Sequence, residues 1–253
     1  MYAKLFQETC GMFNSLHALM LAFFFGFLGL LLYLSRHLNA EQVRKAQLWI
    51  AVGITILEII KITSRISTGY SPDSWVPLYY CSLFIFAIWL TQSKNAYWNR
   101  MGYAYITMGG ILASTFFMLY PSTSLGMYPF FHPSSVHSFI YHLVMCYTGI
   151  VLLWKGVYVP QKRDSLPYML FVLAACIPAA ILNELIGTNC MFLNHPFGLP
   201  VLQPILELSK PAYLLIVCAG QAVLIFWVNY GLLNFAKSRV NKDNLKKELR
   251  SPV

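Results

Sequence analysis

The feature that most constrains this chain is a series of long apolar runs separated by short polar connections. About 20 apolar residues are needed for a helix to cross the hydrocarbon core of a bilayer. Most of the runs reach that length, and the third is shorter than the others. The sequence therefore predicts an all-α membrane bundle of seven transmembrane helices, at 15–34, 47–66, 77–91, 102–120, 136–155, 166–187 and 211–235.

The composition agrees with a membrane protein and excludes a water-soluble globule. Hydrophobic residues make up 58% of the 253 residues and charged residues only 11%, whereas a soluble domain carries about a quarter charged residues. Seven crossings with their connections use almost the whole chain. We therefore expect a membrane domain over 1–236, a basic cytoplasmic tail over 237–253, and a multi-pass protein of the cell membrane.

The positive charges indicate how the bundle is oriented. The chain has 18 Lys and Arg against 9 Asp and Glu, a net charge of +9. Most of the Lys and Arg lie in the tail and in the connections 36–46, 92–101 and 156–165, whereas 68–76 and 121–135 contain none. An excess of Lys and Arg marks cytoplasmic loops. We therefore expect an extracytoplasmic N-terminus and a cytoplasmic C-terminus, and we do not expect nucleic acid as a partner.

The cysteines and histidines do not have the spacing of a metal or redox site. Six cysteines are scattered without a CxxC pair, and most lie in apolar runs, where Cys packs as a small hydrophobe. His132, His137 and His142 are five residues apart, which spreads them around a helix. No GxSxG, HExxH or Walker sequence is present. We expect neither a metal nor a cofactor, and no disulfide framework.

Strongly polar residues occur mainly toward the predicted outer ends of the helices. Such residues are costly in a bilayer and usually face the interior of a bundle or a wet cavity. Glu58, Lys61 and Arg65 share one face of the second helix because they are spaced i, i+3 and i+7. The other members of the group are Asn14, His17, Cys81, His137, His142, Asn183 and Glu184. The inner halves are nearly apolar, which favours a pocket that opens outward over a continuous channel. We expect one cavity in the outer half to be shared by Glu58, Lys61, Cys81, His142 and Glu184.

Each of these residues also has a purely structural interpretation. Glu58 and Lys61 are spaced to form an intrahelical ion pair, and Arg65 is near enough to the helix end to extend its guanidinium to the interface. A single membrane cysteine such as Cys81 is usually a packing residue, and a lone His142 is a common helix–helix hydrogen-bond partner. The functional interpretation depends on the coincidence of their predicted depths on several helices.

Short motifs in the chain resemble one family of bacterial membrane proteins. VPLYYCSL at 76–83, which follows Glu58 and Lys61 in an ExxK pattern, is similar to the LPLHLCSL segment of the YwaF-like integral membrane proteins. GTNCMFL at 187–193 and KPAYLL at 210–215 are similar to later segments of that family. The resemblance implies a seven-helix fold shared with the eukaryotic transmembrane protein 164 family. Members of that family look like cysteine-dependent acyltransferases that move fatty acyl chains between phospholipids.

The resemblance also implies which residues form the site. Cys81 corresponds to the motif cysteine, and His142 to a polar histidine of the fifth helix. Two positions depart from the pattern, because the motif histidine two residues before the cysteine is Tyr79 here and the Tyr of NYMFL is Cys190. The candidate catalytic residues are Cys81 and His142, and the candidate substrate-binding residues are Glu58, Lys61, Arg65, Tyr79, Asn183, Glu184 and Asn189.

One hypothesis for the function is an acyltransferase. Cys81 would form a thioester with a chain taken from a phospholipid and pass it to another acceptor or to water. His142 is the expected base, with its ring oriented by Glu184 or Glu58. Cys146, which is four residues after His142 and on the same helical face, is the alternative nucleophile.

Lys61 and Arg65 have an expected role in two classes of function. In an acyltransferase they would hold a lipid phosphate or a developing oxyanion. In the alternative, a non-catalytic binding protein, they would bind a small anion or a lipid headgroup while Cys81 is inert. A third class is a structural subunit that docks a partner helix through its buried charges. The expected partners are membrane lipids, including a phospholipid substrate, and the sequence does not predict an oligomeric state.

Overall fold

The structure is a computed structural model that describes residues 8–9, 11–121, 127–196 and 199–248. Within these ranges the continuous regular structure is helical, which confirms the predicted all-α class. The helices are α1 (Ser15–Leu34), α2 (Ala40–Ser67), α3 (Leu83–Leu90), α4 (Ala96–Ala104 and Ile111–Leu119, joined by the π-helical Tyr105–Gly110), α5 (Pro133–Trp154), α6 (Ser165–Ile186), α7 (Gln203–Leu208) and α8 (Lys210–Ala219 and Ile225–Glu248, joined by the π-helical Gly220–Leu224).

Six helices in the described part of the chain are long and apolar enough to cross a membrane, judged by length and composition. The six spans are Ser15–His37, Ala40–Ser67, Ala96–Leu119, Pro133–Trp154, Lys162–Ile186 and Lys210–Arg239. Each corresponds to one of the predicted runs. The start of α2 differs most from the prediction, at Ala40 instead of 47. It begins early because Asn39 and Gln42 form a capping box within the polar connection.

The third predicted run, 77–91, contains a shorter helix than expected. Only Leu83–Leu90 is helical, which is about 12 Å at 1.5 Å per residue. This stretch nevertheless joins the two ends of the bundle. Its preceding residues contact the loop after α6, and Thr91 at its far end lines a cleft with Arg44 of α2. Since α3 is too short to be one of the six spans, the count of seven stays a prediction.

α4 lies at the centre of the bundle. In the apolar 18-residue stretch of α4, 61% of the residues are buried. The corresponding fraction is 50% in α5 and 22% to 28% in the other four spans. Tyr105, Ile106 and Met108 of α4 are completely inaccessible. α1 packs on the outside of α5, where the rings of Phe24 and Phe139 meet edge to face with centroids 5.9 Å apart. The bundle therefore has one buried helix surrounded by helices with exposed apolar surface.

Both π-helical segments lie inside long helices and change the hydrogen-bonding pattern there. A π turn accommodates one extra residue and leaves backbone groups without their usual helical partners. Asn229 of α8 supplies partners, because its Nδ2 donates to the carbonyl oxygens of Thr107 at 2.8 Å and Met108 at 3.1 Å. The π segment of α4 is thus fixed directly to α8.

The end of the bundle that carries the basic connections is held together by Asp164, a buried acid. Arg100 of α4 donates to both carboxylate oxygens, with Nε–Oδ1 2.8 Å and Nη2–Oδ2 2.6 Å. The Tyr158 hydroxyl and the Gln161 backbone N–H each donate to Oδ2 at 2.8 Å. Burial, and then the negative charge of Asp164, raise the pKa of Tyr158. These bonds tie the connection between α5 and α6 to the start of α4.

Candidate functional site

Cys81 lies in a series of turns that precedes α3, not in a helix. Pro77 has no amide hydrogen and disfavours helical backbone at Val76. The Leu83 N–H instead makes a turn contact with the Tyr79 carbonyl at 3.3 Å. Cys81 is half-buried and packs against the main core. Irregular backbone inside a membrane bundle is found where protein covers it or where it lines a cavity, so this turn is a candidate site.

The loop that follows α6 packs on the Cys81 turn. The Met191 N–H donates to the Leu78 carbonyl at 3.0 Å, and the rings of Tyr79 and Phe192 are in contact with centroids 5.6 Å apart. Met191 and Phe192 have φ of 53° and 58°, values that non-glycine residues rarely adopt. The two motifs VPLYYCSL and GTNCMFL, which are far apart in sequence, are therefore neighbours in the structure.

Asp73 joins the turn to the loop. Its Oδ1 accepts hydrogen bonds from the Asn189 backbone N–H at 2.7 Å and from the Tyr79 hydroxyl at 2.9 Å. By the resemblance of VPLYYCSL, Tyr79 corresponds to the histidine of the similar LPLHLCSL segment. A tyrosine hydroxyl that donates to a carboxylate supplies no base to Cys81, so in this arrangement Tyr79 fixes the turn.

Asn183 and Asn189 hold the loop in shape. The Asn183 side chain accepts from the Thr188 hydroxyl at 2.8 Å and from the Cys190 N–H at 2.7 Å, and it donates to the Cys190 carbonyl at 3.0 Å. The Asn189 side chain bonds in the same way to the backbone of His195, with Nδ2–O 2.9 Å and Oδ1–N 3.1 Å. Both side-chain amides form hydrogen bonds within the loop. Contact of either residue with a substrate stays a prediction.

Glu58, Lys61 and His137 form a charged cluster between α2 and α5. Lys61 donates to Glu58, which confirms the predicted ion pair. His137 Nε2 is 3.3 Å from Glu58 Oε2. The Glu58 side chain is only 3% exposed. His137 was not a candidate site residue, because its sequence spacing alone does not show which side of α5 faces α2.

Tyr141 links this charged cluster to the Cys81 turn. Its ring stacks against that of His137 with centroids 5.7 Å apart. Its hydroxyl donates to the carbonyl of Ser82, the residue after Cys81, at 3.2 Å. Contacts therefore run without a break from Glu58 through His137 and Tyr141 to the turn.

His142 is buried in α5 and is not oriented by a carboxylate. Its Nδ1 lies 2.7 Å from the Ser138 carbonyl oxygen, and its ring stacks on Phe117 with centroids 3.7 Å apart. The expectation that Glu58 or Glu184 orients this ring is wrong. The backbone carbonyl of the preceding helical turn does so instead, because Glu58 is engaged with Lys61 and His137.

Glu184 does not join the cluster, so the expectation that it shares one cavity with the other polar residues is wrong. Its side chain is 75% exposed and lies 3.5 Å from Lys210. The physical reason is the geometry of the helix. Neighbouring residues point about 100° apart, so α6 cannot bury Asn183 against the loop and also turn Glu184 inward.

Arg65 is buried near the end of α2. It is 9% exposed, donates to the Ser134 hydroxyl, and lies 3.3 Å from the Tyr128 hydroxyl. Its guanidinium carbon is 4.1 Å from the centre of the Tyr70 ring. Arg65 is therefore held by residues at the helix ends, and both interpretations of its role stay predictions.

The other described cysteines are packed among neighbouring side chains. Cys146 is 2% exposed, and its sulfur lies 4.0 Å from the Thr115 hydroxyl. Cys190 and Cys176 are buried, and Cys218 is half-buried. Cys10 lies outside the described residues. Cys81 differs from this group because it is the half-buried cysteine that belongs to the irregular turn.

A chain of buried tyrosines next to Cys81 was not predicted from the sequence. Tyr80 donates to the Tyr168 hydroxyl, which in turn donates to the Gln221 carbonyl at 3.1 Å. The Tyr105 hydroxyl donates to the Tyr80 carbonyl. Tyrosines in apolar runs are ambiguous in sequence because many lie at membrane interfaces. The presence of Tyr80 beside the motif cysteine was the one available signal.

Two clefts lie at the other end of the bundle, around Arg44, and neither includes Cys81 in its lining. An outward-facing pocket that contains Cys81 therefore stays a prediction. Within the described ranges no group of three or more His, Cys, Asp or Glu residues is arranged to hold a metal ion.

Long apolar helices around a buried ion pair and a fixed, irregular turn define a multi-pass helical membrane protein. The model of the TMEM164 family matches residues 12–230, which is most of the chain. The chain therefore belongs to the TMEM164 family, which confirms the predicted relation to that family. Neither the curated proteins nor the solved structures contain a match to it.

Proposed function

We propose that this protein is a cysteine-dependent acyltransferase that acts on phospholipid acyl chains, with Cys81 as its nucleophile. The observation that carries the proposal is the non-helical Cys81 turn, which the loop after α6 holds through the Met191–Leu78 hydrogen bond. The loop that holds the turn has left-handed backbone at Met191 and Phe192. Unusual backbone that is fixed by contacts between two segments is typical of sites that hold a side chain in one orientation.

The proposed reaction has two steps. In the first, the Cys81 sulfur attacks the ester carbonyl of a phospholipid, so that a C–S bond forms and the C–O bond to glycerol breaks. The thiol proton passes through a base to the departing glycerol oxygen. In the second step, the hydroxyl of a lysophospholipid or of water attacks the thioester carbonyl, the C–S bond breaks, and the thiol regains its proton.

His142 is the proposed base on the strength of the resemblance. In the described structure its ring stacks on Phe117, and the α5 residue that contacts the Cys81 turn is Tyr141. Its Nδ1 faces the Ser138 carbonyl oxygen, which can only accept, so Nδ1 carries the hydrogen and Nε2 keeps its lone pair. That Nε2 is buried and has no hydrogen-bond partner among the described residues. A neutral imidazole with a free Nε2 lone pair is the form that can take a proton from a thiol.

The alternative, a non-catalytic protein that binds an anion at Lys61 and Arg65, has less support. Lys61 is neutralised by Glu58, and the guanidinium of Arg65 is bonded to Ser134 and Tyr128. Lys61 would have to leave Glu58 to bind a phosphate, and the guanidinium of Arg65 already uses donors on two hydroxyls. For a structural subunit, the Glu58–Lys61 pairing leaves Arg65, among the described residues, as the unpaired charge of this group with which to dock a partner helix.

The proposed topology has seven crossings, with the N-terminus outside and the C-terminus in the cytoplasm of a cell membrane. The added crossing is the stretch that ends with α3. It is supported by the contacts of its start with the loop after α6 and of its end with the Arg44 cleft. An odd number of crossings keeps 36–46, 92–101 and 156–165 on the cytoplasmic side. Membership of the bacterial YwaF-like branch is proposed on the VPLYYCSL and GTNCMFL motifs.

The test of the proposed function is a comparison of two cysteine variants in reconstituted vesicles. Cys81→Ala should abolish transfer of a labelled acyl chain from a phospholipid to a lysophospholipid. Cys146→Ala, the matched control, should keep nearly wild-type activity because its sulfur only packs against α1 and α4. His142→Ala should slow transfer by about 10²- to 10⁴-fold, as expected for a positioned acid–base group. Mass spectrometry of the intact wild-type protein should show an acyl adduct on Cys81.

Two results would overturn the assignment of Cys81. One is wild-type activity in Cys81→Ala, and the other is loss of activity in Cys146→Ala alone. If no lipid is converted while an anion binds in a Lys61-dependent way, the binding-protein function replaces the enzyme.

A further inference from the structure

A polar cleft lies at the end of the bundle that carries the basic connections. Its volume is about 600 Å³, and α2, α4 and the connection between α5 and α6 contribute to its walls. The polar side chains that line it include Arg44, Gln92, Asn99, Arg100, Tyr103 and Gln161. The whole of α3 lies between this cleft and Cys81 in the chain, so the cleft shares no residue with the proposed active site.

Arg44 is the cation of this cleft whose charge is not neutralised. Arg100 is paired with Asp164 at 2.6 Å. Glu41, one turn before Arg44 on α2, pairs with Lys45 at 2.8 Å. In the described part of the chain no carboxylate lies within ion-pair distance of Arg44. The cleft therefore offers one free guanidinium among neutral amide and hydroxyl groups, a setting that suits an anion.

A second cleft of about 440 Å³ adjoins the first and shares Arg44 and Gln92 with it. Leu48 and Trp49 of α2 form its apolar wall. Trp49 is 75% exposed, and exposed tryptophans are enriched at membrane–water interfaces. Leu48 lies one helical turn beyond Arg44 and on the same face. A positive, polar cleft thus continues into a groove on α2 in which the apolar Leu48 and Trp49 lie beside the Glu41–Lys45 ion pair.

We propose that the two clefts together bind an anionic phospholipid of the cytoplasmic leaflet, with its phosphate at Arg44 and an acyl chain along Leu48 and Trp49. A guanidinium matches the geometry of a phosphate with paired N–H donors. The basic connections place this end of the bundle at the cytoplasmic side, where anionic lipids are abundant. The bound lipid is a resident partner, and its site does not depend on the proposed acyl transfer.

The test is native mass spectrometry of the detergent-purified protein with phosphatidylglycerol and phosphatidylcholine of identical chains. The wild type should retain more phosphatidylglycerol than phosphatidylcholine. Arg44→Gln should weaken its binding by about tenfold or more, as expected for the loss of a charge-assisted contact, and Arg44→Lys should lose less. Arg36→Gln is the matched control, because Arg36 stacks on Tyr33 at 3.7 Å and lines neither cleft. It should bind phosphatidylglycerol like the wild type.

A further comparison distinguishes a lipid from a soluble phosphate compound. If a lipid is bound, Trp49→Ala should also weaken phosphatidylglycerol binding, and an excess of inorganic phosphate should displace little of it. Displacement by inorganic phosphate together with wild-type lipid binding in Trp49→Ala would overturn the lipid assignment. Equal binding of the two lipids, or undiminished binding in Arg44→Gln, would overturn the site itself. Arg44 and Trp49 are both exposed, so these variants should fold.

Discussion

Glu58 is a buried carboxylate with two cationic or titratable neighbours. Its side chain is 3% exposed and is paired with Lys61 on its own helix and with His137 across the helix interface. Removing one member of a buried ion pair leaves the other charge uncompensated, which typically costs about 3–5 kcal/mol. Replacing both members by apolar residues is often close to neutral. The cluster thus contributes to stability only while it is complete.

We therefore expect Glu58→Gln to lower the free energy of unfolding by about 3–5 kcal/mol, because Lys61 stays charged and unpaired. The double variant Glu58→Leu with Lys61→Met should recover most of the loss. Thermal or denaturant unfolding in detergent measures both. Glu41→Gln is the control, since the Glu41–Lys45 pair is 75% exposed on both sides and should be worth less than about 0.5 kcal/mol. Equal losses in Glu58→Gln and Glu41→Gln would contradict this account.

The sequence predicted the partners of a residue within its own helix better than those across helices. The Glu58–Lys61 pair follows from an i, i+3 spacing, which any helix imposes. The contact of Glu58 with His137 depends on the rotation of α5 about its axis, which no local spacing determines. The same limit explains why Asn183 and Glu184 were both expected to face inward, although one helix cannot turn two consecutive residues to the same side.

At the scale of elements, α5 begins with a histidine cap whose strength should depend on pH. His132 Nδ1 accepts a hydrogen bond from the Ser134 N–H at 3.2 Å, and its ring stacks on Tyr128. Burial, and then the positive charge of Arg65, lower the pKa of His132. Because the folded pKa lies below the unfolded value of about 6.5, the unfolded chain binds more protons as the pH falls. The stabilisation is present above that value and is lost on acidification.

We expect the unfolding temperature to fall between pH 7.5 and pH 5.5, and His132→Asn to reduce this fall. Asparagine keeps a capping oxygen but does not titrate, and a helix cap is worth about 0.5–2 kcal/mol. Melting curves of the wild type and of His132→Asn at the two pH values provide the measurement. An unchanged pH dependence in His132→Asn would show that other groups are responsible.

Helix existence was more predictable than helix length. Six of the apolar runs became long helices because their hydrophobicity and length suffice. The run at 77–91 was predicted as a helix on the same grounds, yet its first part forms turns that pack on the loop after α6. That contact joins segments distant in sequence, so hydropathy alone did not reveal it. The VPLYYCSL and GTNCMFL motifs singled out both segments, but they did not show that the two segments are in contact.

At the scale of the whole molecule, the orientation of the bundle leads to a prediction about its loops. Reporter fusions within 121–135 should be extracytoplasmic, and fusions within 156–165 and after Val253 should be cytoplasmic, because the basic connections stay inside. The fusion within 156–165 is the internal control for the one within 121–135, since α5 lies between them. A cytoplasmic 121–135 would contradict the proposed topology and also the leaflet proposed for the lipid at Arg44.

The whole-molecule arrangement also explains which parts of the candidate site escaped prediction. Hydropathy treats all apolar helices alike, whereas the structure buries α4 and leaves α1, α2, α6 and α8 with exposed outer faces. Residues that face α4 are therefore buried in the bundle, even when the sequence around them does not distinguish them from lipid-facing residues. Tyr168 and Asn229 are examples, because both bond to partners in the core.

The π-helical segment of α4 determines where this helix can lose a residue without changing its register. Deleting one residue from Tyr105–Gly110 would restore ordinary α-helical geometry and leave the helix after it in the same register, because the π segment is what absorbs the extra residue. Ser114 and Met118, both 0% exposed, would stay turned to the interior, but Asn229 would lose the carbonyls it binds because they would regain helical partners. A codon lost from the regular turns of α4, in contrast, would rotate Ser114 and Met118 by about 100° and misalign the buried helix with its neighbours.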